Sequence, residues 1–320
     1  MQRLPEARLT PKLAFLGTSS RDQVLRYLRS LEARQYAPGT IQAVITVIKR
    51  LFRHLSQPRQ SALAANLSEI AAQDITDFVR LAQGAGLAAS TVNLSLSMLA
   101  EFFDFLRDEG LMLVQPVSKR RHRLLAPVTL PKPMLEADLV AFFKAVDSTR
   151  DRLLFLLMLR CGLRVSEACS LTWDACDLEA GTLRINDGKG HVDRVVYLSP
   201  DAERECRLWR ARSPASSYLF PSRKRKGLPL DRRVVNYMMT EYLRRAGVAK
   251  SYSPHCLRHT FATQLLNAGV TLEVLKELMG HRSIQNTLKY TQLYEATKRR
   301  QYDEAMVRVE RRQAVAGGAR

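Results

Sequence analysis

The sequence predicts a mainly α-helical protein of two domains, with a small antiparallel β-hairpin or sheet confined to the second domain. Three observations carry that expectation. Apolar residues recur at helical spacing from Ser20 to about Arg107. A basic, proline-rich stretch breaks the pattern at 116–133. Beyond it, one pair of short β-branched runs stands among further helical segments.

Residues 1–16 read as a frayed N-terminal extension, and 17–115 as a helical bundle. Asp22 to Leu31 carries apolar residues one helical turn apart. Pro38-Gly39-Thr40 interrupts the chain and restarts it, with Thr40 a candidate N-cap. The following helix puts Ile41, Val44, Ile45, Ile48, Leu51, Phe52 and Leu55 on one stripe, while Lys49, Arg50 and Arg53 add positive charge. Further helices start near Asp74 and Ser90, the last running through Leu106. The bundle contains no cluster of catalytic side chains.

The stretch 116–133 is expected to be an extended interdomain linker, because its prolines lack the amides a helix needs. Lys119, Arg120, Arg121 and Arg123 within it suit contact with a phosphate backbone, as they would also suit a merely solvated linker. The second domain, 134–297, opens with helices at Glu136–Val146 and Arg150–Arg160. The run Leu153–Leu159 is apolar throughout, far short of the ~20 residues of a membrane span, and reads as a buried helix. Gly162 is a helix stop. Thr182–Ile185 and Arg194–Leu198 read as strands joined by a turn at Asp187-Gly188-Lys189-Gly190. Helices resume near 231, and 298–320 forms a C-terminal helix and tail.

Charge narrows the function. With 50 Lys+Arg against 31 Asp+Glu, the net charge of +19 points to a polyanion, with nucleic acid the leading candidate. The first residues show no apolar core of a secretory leader, and the five cysteines have neither disulfide nor zinc spacing, so a cytoplasmic setting without membrane or metal is expected.

The chemistry-bearing residues lie in the second domain. Ser253 suits an N-cap and Pro254 a first helical position, which sets His255 in a first turn and Arg258 on the same face. A histidine and a planar guanidinium there form a phosphate clamp. His259 is expected to be structural. Arg164 sits at the corner between Gly162 and Ser166-Glu167, with Glu167 available to orient it. Lys189, on a glycine-flanked hairpin tip, could reach into a groove and deliver a proton. His281 follows Gly280, and Tyr290 lies on the next helix. Clustered cations would lower its phenol pKa from about 10. Tyr294, one turn later, competes with Tyr290 on geometry alone. Singly, each residue has an ordinary packing or surface role; their joint order is what is unusual.

In that order the chain resembles the tyrosine recombinase (phage integrase) family. The likeness rests on Gly162-Leu163-Arg164-Val165-Ser166-Glu167, Gly188-Lys189-Gly190, His255-Cys256-Leu257-Arg258-His259-Thr260, Leu278-Met279-Gly280-His281 and Tyr290-Thr291. It spans the whole second domain, while the first is similar, less specifically, to the family's SAM-like core-binding domain. The resemblance implies that Arg164 and Arg258 hold the non-bridging phosphate oxygens and that His255 serves in acid/base or oxygen contact. It implies that Lys189 protonates the leaving 5′ oxygen, His281 contacts the phosphate, Glu167 supports the first arginine, and Tyr290 rather than Tyr294 forms a 3′-phosphotyrosine. Cys161 and Gln292 stand where the family often has Thr and His, and neither removes a catalytic group.

The resemblance further implies a C-shaped clamp of two domains on double-stranded DNA and a homotetramer on two recombination sites. It also implies a tail that docks on a neighbouring protomer, and strand exchange without cofactor, metal or ATP, serving integration, excision, transposition or dimer resolution. Accessory DNA-bending proteins or a partner recombinase are open at this point. A type IB topoisomerase and a DNA-binding architectural protein are the rival readings. The separate N-terminal bundle disfavours the first, and the filled catalytic positions disfavour the second.

Overall fold

In a computed structural model the described residues are 10–53, 66–127, 130–186, 193–281, 283–288, 290, 299, 302–303, 305–307 and 310. They form two units, 1–128 and 129–320. Among the described residues no helix is long and apolar enough to cross a membrane.

The first unit is helical. Helices α1 (Thr18–Ala33), α2 (Pro38–Arg53), α3 (Ala72–Gly84) and α4 (Ala89–Asp108) correspond to the four expected from the apolar stripes. Their inner faces meet in one core, where Tyr27 touches Phe102 and Phe105, with Phe52, Phe78 and Phe103 fully enclosed nearby. Each such ring removed from water is worth roughly 1.5–3 kcal/mol. Helix α2 starts at Pro38, so Thr40 lies inside the first turn instead of capping it. Proline has no amide to lose at that position, and its fixed φ already suits a helix.

Two expectations at the edges of this unit are corrected. The N-terminal extension is not frayed throughout: Thr10–Leu13 makes a 3-10 turn, and Leu13 and Leu16 enter the core. The first half of 116–133 is not an extended strap. Ser118 caps a single helical turn, α5 (Lys119–His122), and His122 is buried. The His122 ring accepts the Ser118 amide (3.0 Å) on Nδ1 and, through Nε2, meets the Ala72 carbonyl (3.1 Å) on α3. The Asn93 amide brackets the backbone of Leu124 on both sides (2.8 and 2.9 Å). Side chains thus satisfy the backbone groups that the prolines leave without helical partners.

In the second unit, α6 (Glu136–Ala145) and α7 (Thr149–Arg160) precede the short α8 (Val165–Ser170). Helix α7 buries Leu153 to Leu159 without a break, as a helix apolar on every side must. A sheet of β1 (Cys176–Asp177), β2 (Thr182–Ile185) and β3 (Arg194–Tyr197) follows, antiparallel in that order. Leu183 faces Val196 and Ile185 faces Arg194 on the buried side. Then come α9 (Pro200–Arg210), α10 (Arg232–Arg245), α11 (Pro254–Asn267), α12 (Leu272–Met279) and α13 (Gln285–Leu288). The described tail residues from Arg299 to Glu310 are helical, with Arg299 and Asp303 paired at 3.1 Å one turn apart.

Candidate active site

Two glycines shape the site. Gly162, just past the end of α7, has φ +63°, and a side chain there would collide with the Phe261 ring at 2.5 Å. Gly280 ends α12 at φ +60°, where a Cβ would meet Arg194 Nη1 at 2.8 Å. Only glycine suits both the left-handed backbone and the close approach. The tight turns direct their neighbouring carbonyls toward arginines.

Arg258, 4% exposed on α11, donates from Nη1 to the Gly162 carbonyl and from Nη2 to the Met279 carbonyl at 2.6 Å. Its Nη2 also lies 3.1 Å from His281 Nε2. A guanidinium can only donate, so Nε2 of His281 is the acceptor and Nδ1 faces Thr287 Oγ1 at 2.9 Å as a donor. Arg164 stands at the N-cap of α8. Its amide (2.8 Å) and its Nη1 both donate to the Glu167 carboxylate, and its Nη2 donates to the Gly280 carbonyl at 3.1 Å. The expected support of Arg164 by Glu167 is therefore a direct, two-point contact.

Arg194 was missed as a site residue. From the edge of β3 it grips both oxygens of Glu167 (3.1 and 2.7 Å) and donates through Nε to the Leu278 carbonyl at 2.8 Å. Strand alternation could have found it, because Arg194 shares a face with the buried Val196. Both Arg194 and Glu167 are 8% exposed, and Arg258 Nη1 lies 3.9 Å from the same carboxylate. Burial pushes the Glu167 carboxyl up, but the hydrogen bonds and charge of Arg194, with the Arg164 amide and Arg258, hold it at about 2. Burial, then the charge of Arg164, pulls Arg258 down to about 10 against Glu167, so it stays cationic at neutral pH. Three guanidiniums thus share a single carboxylate, and the surplus positive charge makes an anion site.

Tyr290 is 1% exposed and packs with Phe261, Leu266, Leu275 and Met279. Burial pushes its phenol up to about 12, while Arg258 and Arg164 pull it down. Its hydroxyl lies 2.8 Å from Nδ1 of His259, so the residue expected to be structural touches the candidate nucleophile. His255, one turn earlier on α11, is exposed, and Pro254 occupies the first helical position as expected. Ser253 occupies the N-cap position, but its hydroxyl lies near Cys256 Sγ (3.8 Å) instead of bonding a helical amide. Lys189 and Tyr294 lie outside the described residues.

The structure therefore brings Arg164, Glu167, Arg258 and His281 into one hydrogen-bonded network, with Tyr290 at its border. The DNA-contact candidates sit in the first unit. Arg53, Lys119, Arg120, Arg121 and Arg123 are exposed, and Lys49 and Arg50 are half-buried. Arg50 Nη1 reaches Ser95 on α4 at 3.5 Å, while Lys119 and Arg123 border a hollow along Asn93, Leu94 and Ser97 of the same helix.

Residues 133–297 match the phage integrase family, and 24–110 match the phage integrase N-terminal SAM-like domain. The chain is 34% identical to the tyrosine recombinase XerA of Pyrococcus furiosus over 226 residues, 69% of this chain and 76% of the relative. It is 30% identical to the tyrosine recombinase XerC of Xanthomonas axonopodis pv. citri over 309 residues, 92% and 99% of the two. Its fold is similar to that of a lambda integrase dimer bound to a COC′ core site (TM-score 0.68, 20% identity, 84% of this chain and 94% of that one). It is also similar to that of the Tn1549 transposon integrase in complex with circular intermediate DNA (TM-score 0.67, 19% identity, 84% and 94%). Family match, relatives over most of their length, and a fold of helices with one small antiparallel sheet agree: the chain belongs to the phage integrase family of tyrosine recombinases.

Proposed function

We propose that this tyrosine recombinase, an enzyme of site-specific DNA cleavage and rejoining, acts through attack of Tyr290 on a backbone phosphate. The observation that carries the reading is the surplus of guanidinium around Glu167, next to a phenol within electrostatic reach of Arg164 and Arg258. A cation-rich pocket of low exposure is completed by an anion, and it stabilises most the extra charge of a pentacoordinate phosphorus. In this reading Arg164 and Arg258 hold the non-bridging oxygens, His281 contacts the phosphate, and His255 serves in acid/base or oxygen contact. Lys189 protonates the departing 5′ oxygen, and Tyr290 retains the 3′ phosphate.

The phosphotyrosine conserves the energy of the broken diester, so a 5′ hydroxyl from another strand can reverse the step without ATP or metal. Exchange between two sites would engage four protomers, with the C-terminal helix docking on a neighbour. Lys49, Arg50, Arg53, Lys119, Arg120, Arg121 and Arg123 would follow the DNA backbone. The lambda integrase tetramer bound to a Holliday junction is a precedent of similar fold.

The test is a suicide duplex nicked beside the scissile phosphate. Tyr290→Phe is expected to bind the site normally and yield no covalent adduct. An adduct at wild-type yield would move the nucleophile elsewhere, with Tyr294 the first residue to examine. Given two sites, the wild-type protein is expected to form recombinants, whereas a topoisomerase would relax a plasmid carrying neither.

A further inference from the structure

The base that takes the proton from Tyr290 is open between two imidazoles of α11, His255 and His259. Tyr290 as a residue is 1% exposed, so a neighbouring protein group is the natural first acceptor of its proton. The oxygen lies 2.8 Å from Nδ1 of His259, and the two rings are tilted by 53° with centroids 5.6 Å apart, a hydrogen bond and not a stack. His259 is held on α11 next to Arg258, one residue beyond the proposed phosphate ligand, and its own carbonyl accepts the Thr263 hydroxyl at 3.0 Å. The helix therefore fixes the phosphate ligand and the imidazole in one rigid piece. His259 is only half-buried, which gives a captured proton a way out.

We propose that His259 is a catalytic residue that accepts the Tyr290 proton as the phenol oxygen attacks phosphorus, and returns it when rejoining expels that oxygen. The assignment rests on Tyr290 being the nucleophile. In the forward step the Oη–P bond forms, the P–O5′ bond breaks, and the phenolic proton passes to Nδ1. The departing O5′ takes a proton from a separate acid, the role proposed above for Lys189. In the reverse step the 5′ hydroxyl gives up its proton to that conjugate base and attacks, and the imidazolium protonates the leaving tyrosine. No proton or electron is left over.

The chemistry fits the pair. A phenol pushed up to about 12 stays protonated at neutral pH, so its nucleophilic form has to be generated during attack. Imidazole, with an ordinary pKa near 6.5, is matched to that task. The guanidiniums of Arg164 and Arg258 cannot take the proton, being donors only. His255, exposed one turn away, is the competing imidazole.

Single-turnover cleavage of the suicide duplex by the full chain separates the possibilities. His259→Gln keeps a hydrogen-bonding side chain but cannot carry the proton. It is expected to bind DNA as wild type and to cleave at least about a hundredfold more slowly. The defect should persist on a duplex whose scissile 5′ oxygen is replaced by sulfur, which relieves the need for a general acid but not for a base. His259→Gly, with its folding checked by thermal melting, should regain cleavage on addition of imidazole. Wild-type cleavage by His259→Gln overturns the proposal, because a spacer would then suffice. Relief by the sulfur substrate also overturns it, since it would place His259 on the leaving-group side, as does failure of imidazole to raise the His259→Gly rate. Peptide mapping of the wild-type adduct keeps the two readings apart: an adduct away from Tyr290 refutes the nucleophile, whereas an adduct on Tyr290 with unimpaired His259→Gln refutes only the base.

Discussion

The two units differ in the arginine clusters they bury. The N-terminal unit keeps ion pairs such as Arg34–Glu101 (3.2 Å) and Arg107–Asp104 (3.0 Å) in partial contact with water, each side chain more than two-fifths exposed. The C-terminal unit withdraws Arg194, Arg258 and Glu167 almost completely from solvent. Pairs of the first kind contribute about 0–1 kcal/mol, and their loss is rarely felt. Groups of the second kind carry a desolvation penalty of several kcal/mol per ion, tolerated only where the geometry compensates it. An anion would gain from the second arrangement and very little from the first.

The largest effect that could break this comparison is Glu167→Gln. Removing the shared carboxylate leaves Arg194 and Arg258 buried against each other, and urea unfolding should show a loss of about 3–5 kcal/mol. Glu101→Gln in the first unit should stay within about 1 kcal/mol. Equal losses would show that Glu167 is no special hub. Next comes Gly280→Ala against Gly86→Ala. Both glycines have positive φ (+60° and +78°), but only at Gly280 does a Cβ meet another group, Arg194. Gly86→Ala should cost about 1–2 kcal/mol for the backbone alone. Gly280→Ala should cost about 1–3 kcal/mol more and depress cleavage as well.

Acid sharpens the comparison further. The carboxyl of Glu167 lies below its ordinary 4.5, at about 2, so the stability it contributes is complete above 4.5 and is lost as pH falls toward 2. Urea midpoints measured across that window should fall more steeply for wild type than for Glu167→Gln. Parallel slopes would remove Glu167 from the acid response. The smallest effect concerns the basic side chains beside α4. Lys119→Ala and Arg123→Ala should each lower the salt dependence of DNA binding by about one unit of slope, without changing cleavage of bound substrate. An unchanged slope would make them bystanders.

What the sequence disclosed follows the same divide. The helices of the first unit were legible because one periodic stripe decides both local structure and burial, as Ile41 to Phe52 illustrates. The turn at Gly162 was legible as a helix stop, and the convergence of Arg164, Glu167, Arg258 and His281 was legible through family resemblance. Strand β1 was not, since two residues show no alternation and depend on pairing with β2. The fastening of 116–124 was hidden because His122 and Asn93 act on backbone groups far away in the chain. Arg194 was overlooked because its partners, Glu167 and Leu278, are 27 and 84 residues away, although its alternation with Val195 and Val196 marked the buried face. His259 was assigned to packing although residues four apart share a helical face, which sets it in line with His255.

The arginines of the site are aimed largely by main-chain oxygens, those of Gly162, Leu278, Met279 and Gly280. Every amino acid supplies the same carbonyl. Evolution can therefore exchange the side chains at 278 and 279 for others of similar bulk while the guanidiniums keep their bearings. The freedom ends at the bends themselves: a mutation that flips one peptide plane would misdirect a guanidinium without altering a single charged residue.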